Sequence, residues 1–312
     1  MKEGLLEEVS KVIDEWKATD FTSNHLVDVP GLDDRNLTFG KGRDKKVVEI
    51  RTCVLYVDIR NSVKMVEEYN PGVMGIVYSI FTHCVILAAK DVGGKVRNVI
   101  GDRVMIVFPE EKCFEKAVCC ATSINTISQM INTKLKGVEF KCGIGVDYGQ
   151  MYVMKVGTFT PGQENDDNKG LVWVGYPANY ASRLTDSANK TVSQDYMHVE
   201  GEFTIPSFLN NGGTTRQVIR DLSIEEFYRQ TSSIQGSLHL NGFTRILSIE
   251  RKTKSYTFPP ILLSQSVYDG FCRECSIMES VKNGWWKLQQ FPIKDIIYNV
   301  YGHDNHWTIP PL

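Results

Sequence analysis

Three short stretches of the chain place charge-bearing side chains at positions that apolar strands or a helix would hold. The first is VLYVDIRNS, in which Val54, Tyr56 and Asp58 share one face of a strand by the two-residue period. An aspartate ending so apolar a strand costs desolvation unless a cation meets it. The second is NVIGDRVMIVF, where Gly101-Asp102 forms a hairpin turn inside another apolar run. If the two strands are neighbours, both carboxylates converge at one sheet edge. Paired carboxylates facing a triphosphate can hold magnesium through oxygen ligands. Two such ions, ~3.5–4 Å apart, activate an attacking oxygen and neutralise a leaving one. The third stretch is VGYPANYASRLTD. Asn179 and Arg183 lie four apart, so they project from one helical face. A charged fork of donors beside a neutral amide suits a pentavalent phosphorus carrying extra negative charge. Each feature alone has a plainer reading: a Gly-Asp turn, a strand-end cap, a surface arginine after a helix-start asparagine. Their combination carries the argument.

The elements that must position these residues are legible in outline. Residues 1–46 read as an N-terminal helical extension, MKEGLLEEVSKVIDEW being an acidic-basic amphipathic helix and not a signal peptide, followed by turn signals at Pro30-Gly31 and Gly40–Gly42. From Val47, VVEIRTCVLYVDI reads as a strand. Gly72 to Ala89 carries no charge over eighteen residues, close to the ~20 of a membrane span. It contains Tyr78, Ser79, Thr82 and His83, however, and Val73, Ile76, Val77, Ile80, Cys84 and Leu87 recur at helical spacing as one expected buried face. With Asn70-Pro71 to start it and Gly93-Gly94 to stop it, this is expected to be the core helix of a soluble domain.

A hairpin of Lys95–Ile100 and Val104–Phe108 follows, then a helix over about 110–135 with Phe114, Ala117, Val118, Ala121, Ile124, Ile127 and Ile131 inward. VEFKCGIGV and QMYVMKV read as a strand pair turning at Asp147-Tyr148-Gly149, TFTPGQENDDNKG as an acidic polar loop, LVWV as a short strand, and Asn179–Thr185 as the start of a helix. Residues 47–187 form the expected catalytic core. Residues 188–260 pattern weakly, with one helix near Ile224–Gln230, and read as an insertion that could be a lid, a dimer arm or a sensor. Residues 261–312 return to the core through ILLS, a short helix in SQSVYDGF, and strands near WWKLQQF and DIIYNVYG. The expected fold class is α+β: a mainly antiparallel sheet with helices packed on one face.

Bulk composition restricts the partners. The 312 residues are 42% hydrophobic and 23% charged, ordinary for a folded domain, and the net charge of −2 gives no general attraction to nucleic acid or anionic membrane. Eight cysteines, two adjacent at Cys119-Cys120, fit reduced thiols of a cytoplasmic protein.

VDIRNS, GGKVRNVIGDRVMIVF, CGIGVDYGQMYVMKVG and VGYPANYASRL resemble the successive core motifs of class III adenylyl and guanylyl cyclases, in the family's order, and ILLSQSVYD and IIYNVYG resemble its later segments. That resemblance implies a ferredoxin-like cyclase fold working as a homodimer. It implies that Asp58 and Asp102, assisted by the Ile59 carbonyl, ligate two Mg2+ or Mn2+ ions per active site. Backbone amides from Ile59 through Asn61 and Ser62 to Val63 would cradle the β- and γ-phosphates, Asn179 would orient the ribose, and Arg183 would stabilise the α-phosphate. In this family the aspartates come from one protomer and the Asn/Arg helix from the other. A phosphate-binding lysine is matched by Lys294 or Lys287.

The base-reading positions depart from both purine patterns. Adenylyl cyclases place a lysine three residues before the Gly-Asp pair and an acidic or hydroxyl residue three before the helix-leading glycine; guanylyl cyclases place a glutamate at the first position. Here these positions hold Asn98 and Val172. An amide suits a pyrimidine edge, Val172 can only pack, and Tyr56 could narrow the pocket or stack on a smaller base. Arg97 and Asn98 should alternate in direction, leaving one to face the base. The usual Gly-Phe-Thr after the first aspartate is Asn61-Ser62-Val63. These departures resemble the pyrimidine cyclases of the bacterial Pycsar antiphage system, which make cyclic CMP or cyclic UMP for a separate cyclic-nucleotide effector. The expectation is thus a nucleoside triphosphate substrate, CTP ahead of UTP, with no nucleic-acid partner and no membrane insertion. The rival readings are a purine cyclase with an unusual pocket and an inactive cyclase-like nucleotide-binding dimerisation module.

Overall fold

The computed structural model describes residues 3–38, 44–157, 169–206, 213–234 and 237–308. The acidic loop TFTPGQENDDNKG falls almost wholly outside these, as do the Gly40–Gly42 turn and the last four residues. The chain divides into two units, Met1–Lys190 with Phe258–Leu312, and Thr191–Thr257.

The spine of the first unit is β2 (Asp44–Ile59), a strand apolar on both faces. Cys53, Leu55, Val57 and Ile59 enter one core, while Val48, Ile50 and Val54 enter a second on the opposite face. A strand covered on both sides reads as a nearly continuous apolar run, which is how VVEIRTCVLYVDI appears in the sequence. Its partner β5 (Cys142–Gly157) pairs with it antiparallel from Ile59↔Cys142 to Val48↔Val153. The expected turn at Asp147–Gly149 is absent: β5 passes through those residues as one sixteen-residue strand. On the other side of β2 lies β4 (Arg103–Val107), joined by the Gly101-Asp102 turn to β3 (Lys95–Ile100). Beyond β5 come β12 (Ile261–Ser264), β14 (Val300–His303) and β13 (Lys287–Leu288), the last a pair of residues where a longer strand was expected. Two short strands complete the sheet: β1 (Asp20–His25) runs parallel to β2, and β6 (Lys169–Val174) antiparallel to β5. Apart from β1–β2 and β5–β12 every pairing is antiparallel.

Helices cover both faces, where the sequence suggested one. On the Leu55 face lie α3 (Pro71–Asp91), α4 (Cys113–Lys134) and α7 (Gln265–Glu274), with the short α2 (Ser62–Glu68) and α8 (Glu279–Lys282) at the margins. The Asn70 side chain caps α3 by accepting from the Val73 amide at 3.0 Å, with Pro71 in the first turn. The face that α3 buries is Val77, Phe81, Val85, Ala88 and Ala89; Ile76 and Leu87, placed inward by the sequence reading, are exposed. The stripe is misphased because this helix is apolar almost all round, so its periodicity is weak. By length and composition it is the one described helix that could cross a membrane. On the Val54 face packs α5 (Tyr176–Ser187), through Ala178 and Ala181. An N-terminal helix, α1 (Glu3–Lys17), precedes β1.

The second unit holds strands that the sequence pattern did not disclose. β7 (Thr191–Pro206) lies between β8 (Gly213–Ser223) and β11 (Arg245–Thr257), beside a hairpin of β9 (Thr231–Ile234) and β10 (Ser237–Leu240). Helix α6 (Ile224–Gln230) opens with a capping box between Ser223 and Glu226. Its core is small: Val199, Leu222, Phe227 and Leu240.

Candidate active site

Register brings the two aspartates together. Asp58, one residue from the end of β2, pairs with Arg103, so the Gly101-Asp102 turn lies beside it, and the Ile59 amide donates to the Asp102 carbonyl at 3.4 Å. Gly101 takes φ +59°, a left-handed value suited to glycine, which closes the hairpin tightly. The Asp58 carboxylate is largely buried and is met by two guanidinium groups, Arg103 Nη2 at 2.8 Å and Arg60 Nη1 at 3.6 Å. Burial raises its pKa and the nearby charge of Asp102 adds to that, while Arg103 and Arg60 oppose it. Tyr78 on α3 stands close enough for both aspartates to act on its hydroxyl, which bonds with Ser62. Among the described residues no group of three or more His, Cys, Asp or Glu is placed to hold a metal. The spacing Cys272-x-x-Cys275 at the end of α7 therefore gains no further ligands. Two carboxylates of hard oxygen, with the remaining positions left to phosphate and water, fit magnesium or manganese.

Above the aspartates, one row crosses three strands: Tyr56 on β2 faces Met105 on β4, which faces Asn98 on β3. Tyr56 packs against the second core, and burial raises its pKa, keeping it a neutral phenol. Simple alternation fails at Arg97. A bulge between Val96 and Asn98 leaves Val96 opposite Ile106 and Asn98 opposite Met105, so Arg97 and Asn98 lie on the same side. Arg97 donates to the Val29 carbonyl at 3.0 Å. Val172 is not brought to this row. On β6 it pairs with Met154 of β5, whereas its neighbours Leu171 and Trp173 turn to the second core, and it is 38% exposed.

Helix α5 reaches this face because β5 lacks side chains where the helix crosses. A Cβ on Gly145 would stand 2.4 Å from the Ala181 carbonyl oxygen and the Thr185 amide, and one on Gly149 would stand 2.9 Å from the Pro177 ring. The spacing that suggested a turn is thus a groove for helix backbone. On the helix side facing the strands, Thr185 Oγ1 donates to the Tyr56 carbonyl at 3.0 Å, Arg103 donates to Ser182 Oγ at 2.8 Å, and Arg103 also pairs with Asp186. Arg60 donates to the Ala188 carbonyl at 2.8 Å and to that of Thr185, satisfying the end of α5 with a cation. These contacts join residues more than seventy positions apart, which no local spacing announces.

Asn179 and Arg183 lie on another side of α5. Asn179 is exposed, and Arg183 is held by Asp295, whose carbonyl accepts from Nη1 at 3.2 Å and whose carboxylate lies 3.3 Å away; its guanidinium also sits over the Tyr180 ring. Lys294, the residue before this clamp, is exposed, while Lys287 donates to the Gly284 carbonyl at 2.7 Å. The chain therefore presents the aspartates with Arg103 on one side and Arg183 with the Lys294 segment on another.

The expected phosphate cradle is shorter than Ile59–Val63. The amides of Ile59 and Arg60 are engaged by the carbonyls of Asp102 and Lys141, the latter at 2.8 Å. Asn61, Ser62 and Val63 remain at the start of α2, and Val63 is 75% exposed, offering only backbone. Asn61 has φ +58°, a conformation that glycine and asparagine tolerate best, which accounts for Asn at the family's glycine position.

No protein-family model matches the chain. It is similar to a uridylate cyclase of Burkholderia cepacia, 31% identical over 181 residues that cover 56% of this chain and 72% of that protein. A uridylate cyclase of Gulbenkiania mobilis is 24% identical over 233 residues, 70% of this chain and 84% of that one. Among solved structures, the adenylyl cyclase CyaB from P. aeruginosa aligns over 82% of this chain and 95% of its own, at 13% identity and a TM-score of 0.46. The chain belongs to the family of pyrimidine nucleotide cyclases represented by its uridylate cyclase relatives, and its motifs resemble those of the class III nucleotidyl cyclases.

Proposed function

We propose that the protein converts UTP into 3′,5′-cyclic UMP and pyrophosphate. The observation that carries this reading is the meeting of Asp58 and Asp102 at adjoining strand ends, below a row of Tyr56, Met105 and Asn98 that lacks both purine-reading patterns. The relatives' activity supports UTP, which replaces the expectation of CTP. Tyr56 reduces the space open to a base, and the Asn98 amide can donate to and accept from a pyrimidine edge.

Asp58 and Asp102 would hold Mg2+ or Mn2+, two per site. When bound, such ions supply Lewis-acid stabilisation of the ribose 3′-oxygen and of the departing pyrophosphate. To hold a metal, Asp58 would give up its bond from Arg103, and that guanidinium would then be available to phosphate or base. The amides of Asn61, Ser62 and Val63 donate to the terminal phosphates, and Lys294 adds charge there. Asn179 orients the ribose and Arg183 donates to the oxygens of the α-phosphorus. Because Asn179 and Arg183 face away from their own chain's contacts with Asp58, the complete site is read as shared between two copies, with two sites per homodimer. The eight free cysteines suit a cytoplasmic setting. The likeness to antiphage pyrimidine cyclases supports a product that acts on a separate cyclic-nucleotide effector in defence.

Incubation with each of four nucleoside triphosphates and Mn2+, with products identified by mass, tests the reading. Cyclic UMP is expected; cyclic AMP or cyclic GMP alone would overturn the pyrimidine assignment, and no product at all would favour an inactive nucleotide-binding module. Mixing Asp58→Ala with Arg183→Ala chains should restore part of the activity if the site is shared.

A further inference from the structure

The feature that the proposed reaction leaves without a role is α1. Every described side chain from Gly4 to Lys17 is exposed, yet Leu5, Leu6, Val9, Val12, Ile13 and Trp16 are 44–55% exposed along a helix of fifteen residues. Such a stripe is covered in a stable protein. Its spacing selects the cover. Leu6, Val9, Ile13 and Trp16 recur at intervals of three, four and three, the a/d seam of a helix that packs knobs-into-holes against another helix. Leu5 and Val12, seven apart, flank one side of the seam; Ser10 and Lys17 flank the other.

Charge excludes one alternative cover and permits a like helix. Glu7, Glu8, Asp14 and Glu15 outnumber Lys11 and Lys17, and a polar face of that sign is repelled by anionic lipid. In a parallel, in-register pair the flanking positions bring Leu5 opposite Ser10 and Val12 opposite Lys17, so no like charges meet across the seam, and the acidic residues stay on the outer surface. The helix is also tied at one end only. Trp16 stacks on Phe21 of β1 at 6.3 Å and carries the Lys45 ammonium 5.4 Å above its ring, which fixes the C-terminal turn of α1 to the sheet.

We infer that α1 pairs in parallel with α1 of a second copy of this chain, forming a two-heptad coiled coil. A helix this short is marginal as a coiled coil on its own. Its contribution comes from tethering, since the second contact between two copies that already touch is intramolecular and gains from a high effective concentration. The pairing rests on the shared-site reading for the contact that tethers the two copies, but not for its geometry.

The test uses the full chain. Leu6→Cys, at the seam, should form an interchain disulfide under mild oxidation, whereas Lys11→Cys, on the outer face, should not exceed wild type with its native thiols. Antiparallel pairing would set Leu6 against the far end of the partner helix, so absence of the Leu6 cross-link overturns the parallel pair. Val9→Glu combined with Ile13→Glu should raise the dimer dissociation constant at least tenfold by sedimentation; an unchanged constant, or a wild type that stays monomeric, overturns the proposal. Co-sedimentation with phosphatidylglycerol vesicles that is lost in the same double variant would assign the stripe to lipid instead. Product formation is read separately: cyclic UMP without cross-linking removes only the coiled coil, and cross-linking without product removes only the catalytic reading.

Discussion

Arg103 is the residue that ties Asp58 to helix α5. Its guanidinium balances Asp58 and reaches Ser182 and Asp186, so the paired acids do not repel each other unopposed. Removing Arg103 leaves the part-buried Asp58 with only Arg60 nearby, and Arg103→Ala should cost about 1–2 kcal/mol when no metal is added. Added Mn2+ should then raise the melting temperature more in that variant than in wild type. The buried Asp147 makes a second prediction. It is 4% exposed, and burial pushes its carboxyl up to about 6, against bonds from Ser264 and Ser266. A folded pKa above the unfolded one means the native state binds the extra proton, so stability falls as pH rises from about 4 to about 6 and is level above. Asp147→Asn should abolish that decline and add about 3 kcal/mol at neutral pH, as read by urea titration across pH. At this scale the meeting of Asp58 and Asp102 was legible because strand period and a Gly-Asp turn are local signals, whereas Asn98 was reached only through the resemblance to cyclase motifs. Arg103 was not, because its partners on α5 lie about eighty positions away.

At the scale of elements, β5 and α5 form one device. Of the glycines in CGIGVDYG, Gly149 was read as a turn residue with Asp147, since Gly and Asp punctuate sequences, and Gly143 and Gly145 as part of a strand. In the fold they let α5 backbone lie on the strand, and a side chain at Gly145 has no space to occupy. Gly145→Ala should therefore cost about 3 kcal/mol or more through overpacking, and should displace Ser182 and Asp186 from Arg103. Urea denaturation measures the first effect, and loss of cyclic product in the protein that remains folded measures the second. The misphased α3 has a related cause: with apolar residues on nearly every side, the sequence shows a helix but not which side is inward. The strands of residues 191–257 were hidden for the opposite reason. β8 and β11 are exposed along most of their length and rich in Thr, Ser, Arg and Lys, so they carry little alternation.

At the scale of the molecule, the second unit begins and ends at one place. The Phe258 amide donates to the Lys190 carbonyl and the Asn189 amide to that of Pro259, both at 3.0 Å, while Thr191 and Thr257 are paired at the base of β7 and β11. Replacing Thr191–Thr257 by a short Gly-Ser turn should leave the first unit cooperative in thermal unfolding and, since all the candidate site residues lie in it, still able to make cyclic product. A folded but silent core would give the removed unit a part in catalysis.

The paired exit and entry at Lys190 and Phe258 also bears on how such a chain could change over generations. Any module whose own termini emerge side by side could be spliced there, gained or lost whole, without shifting the frame of strand β12 or the catalytic face. Lineages could thus exchange this module whole while the candidate site residues are inherited intact.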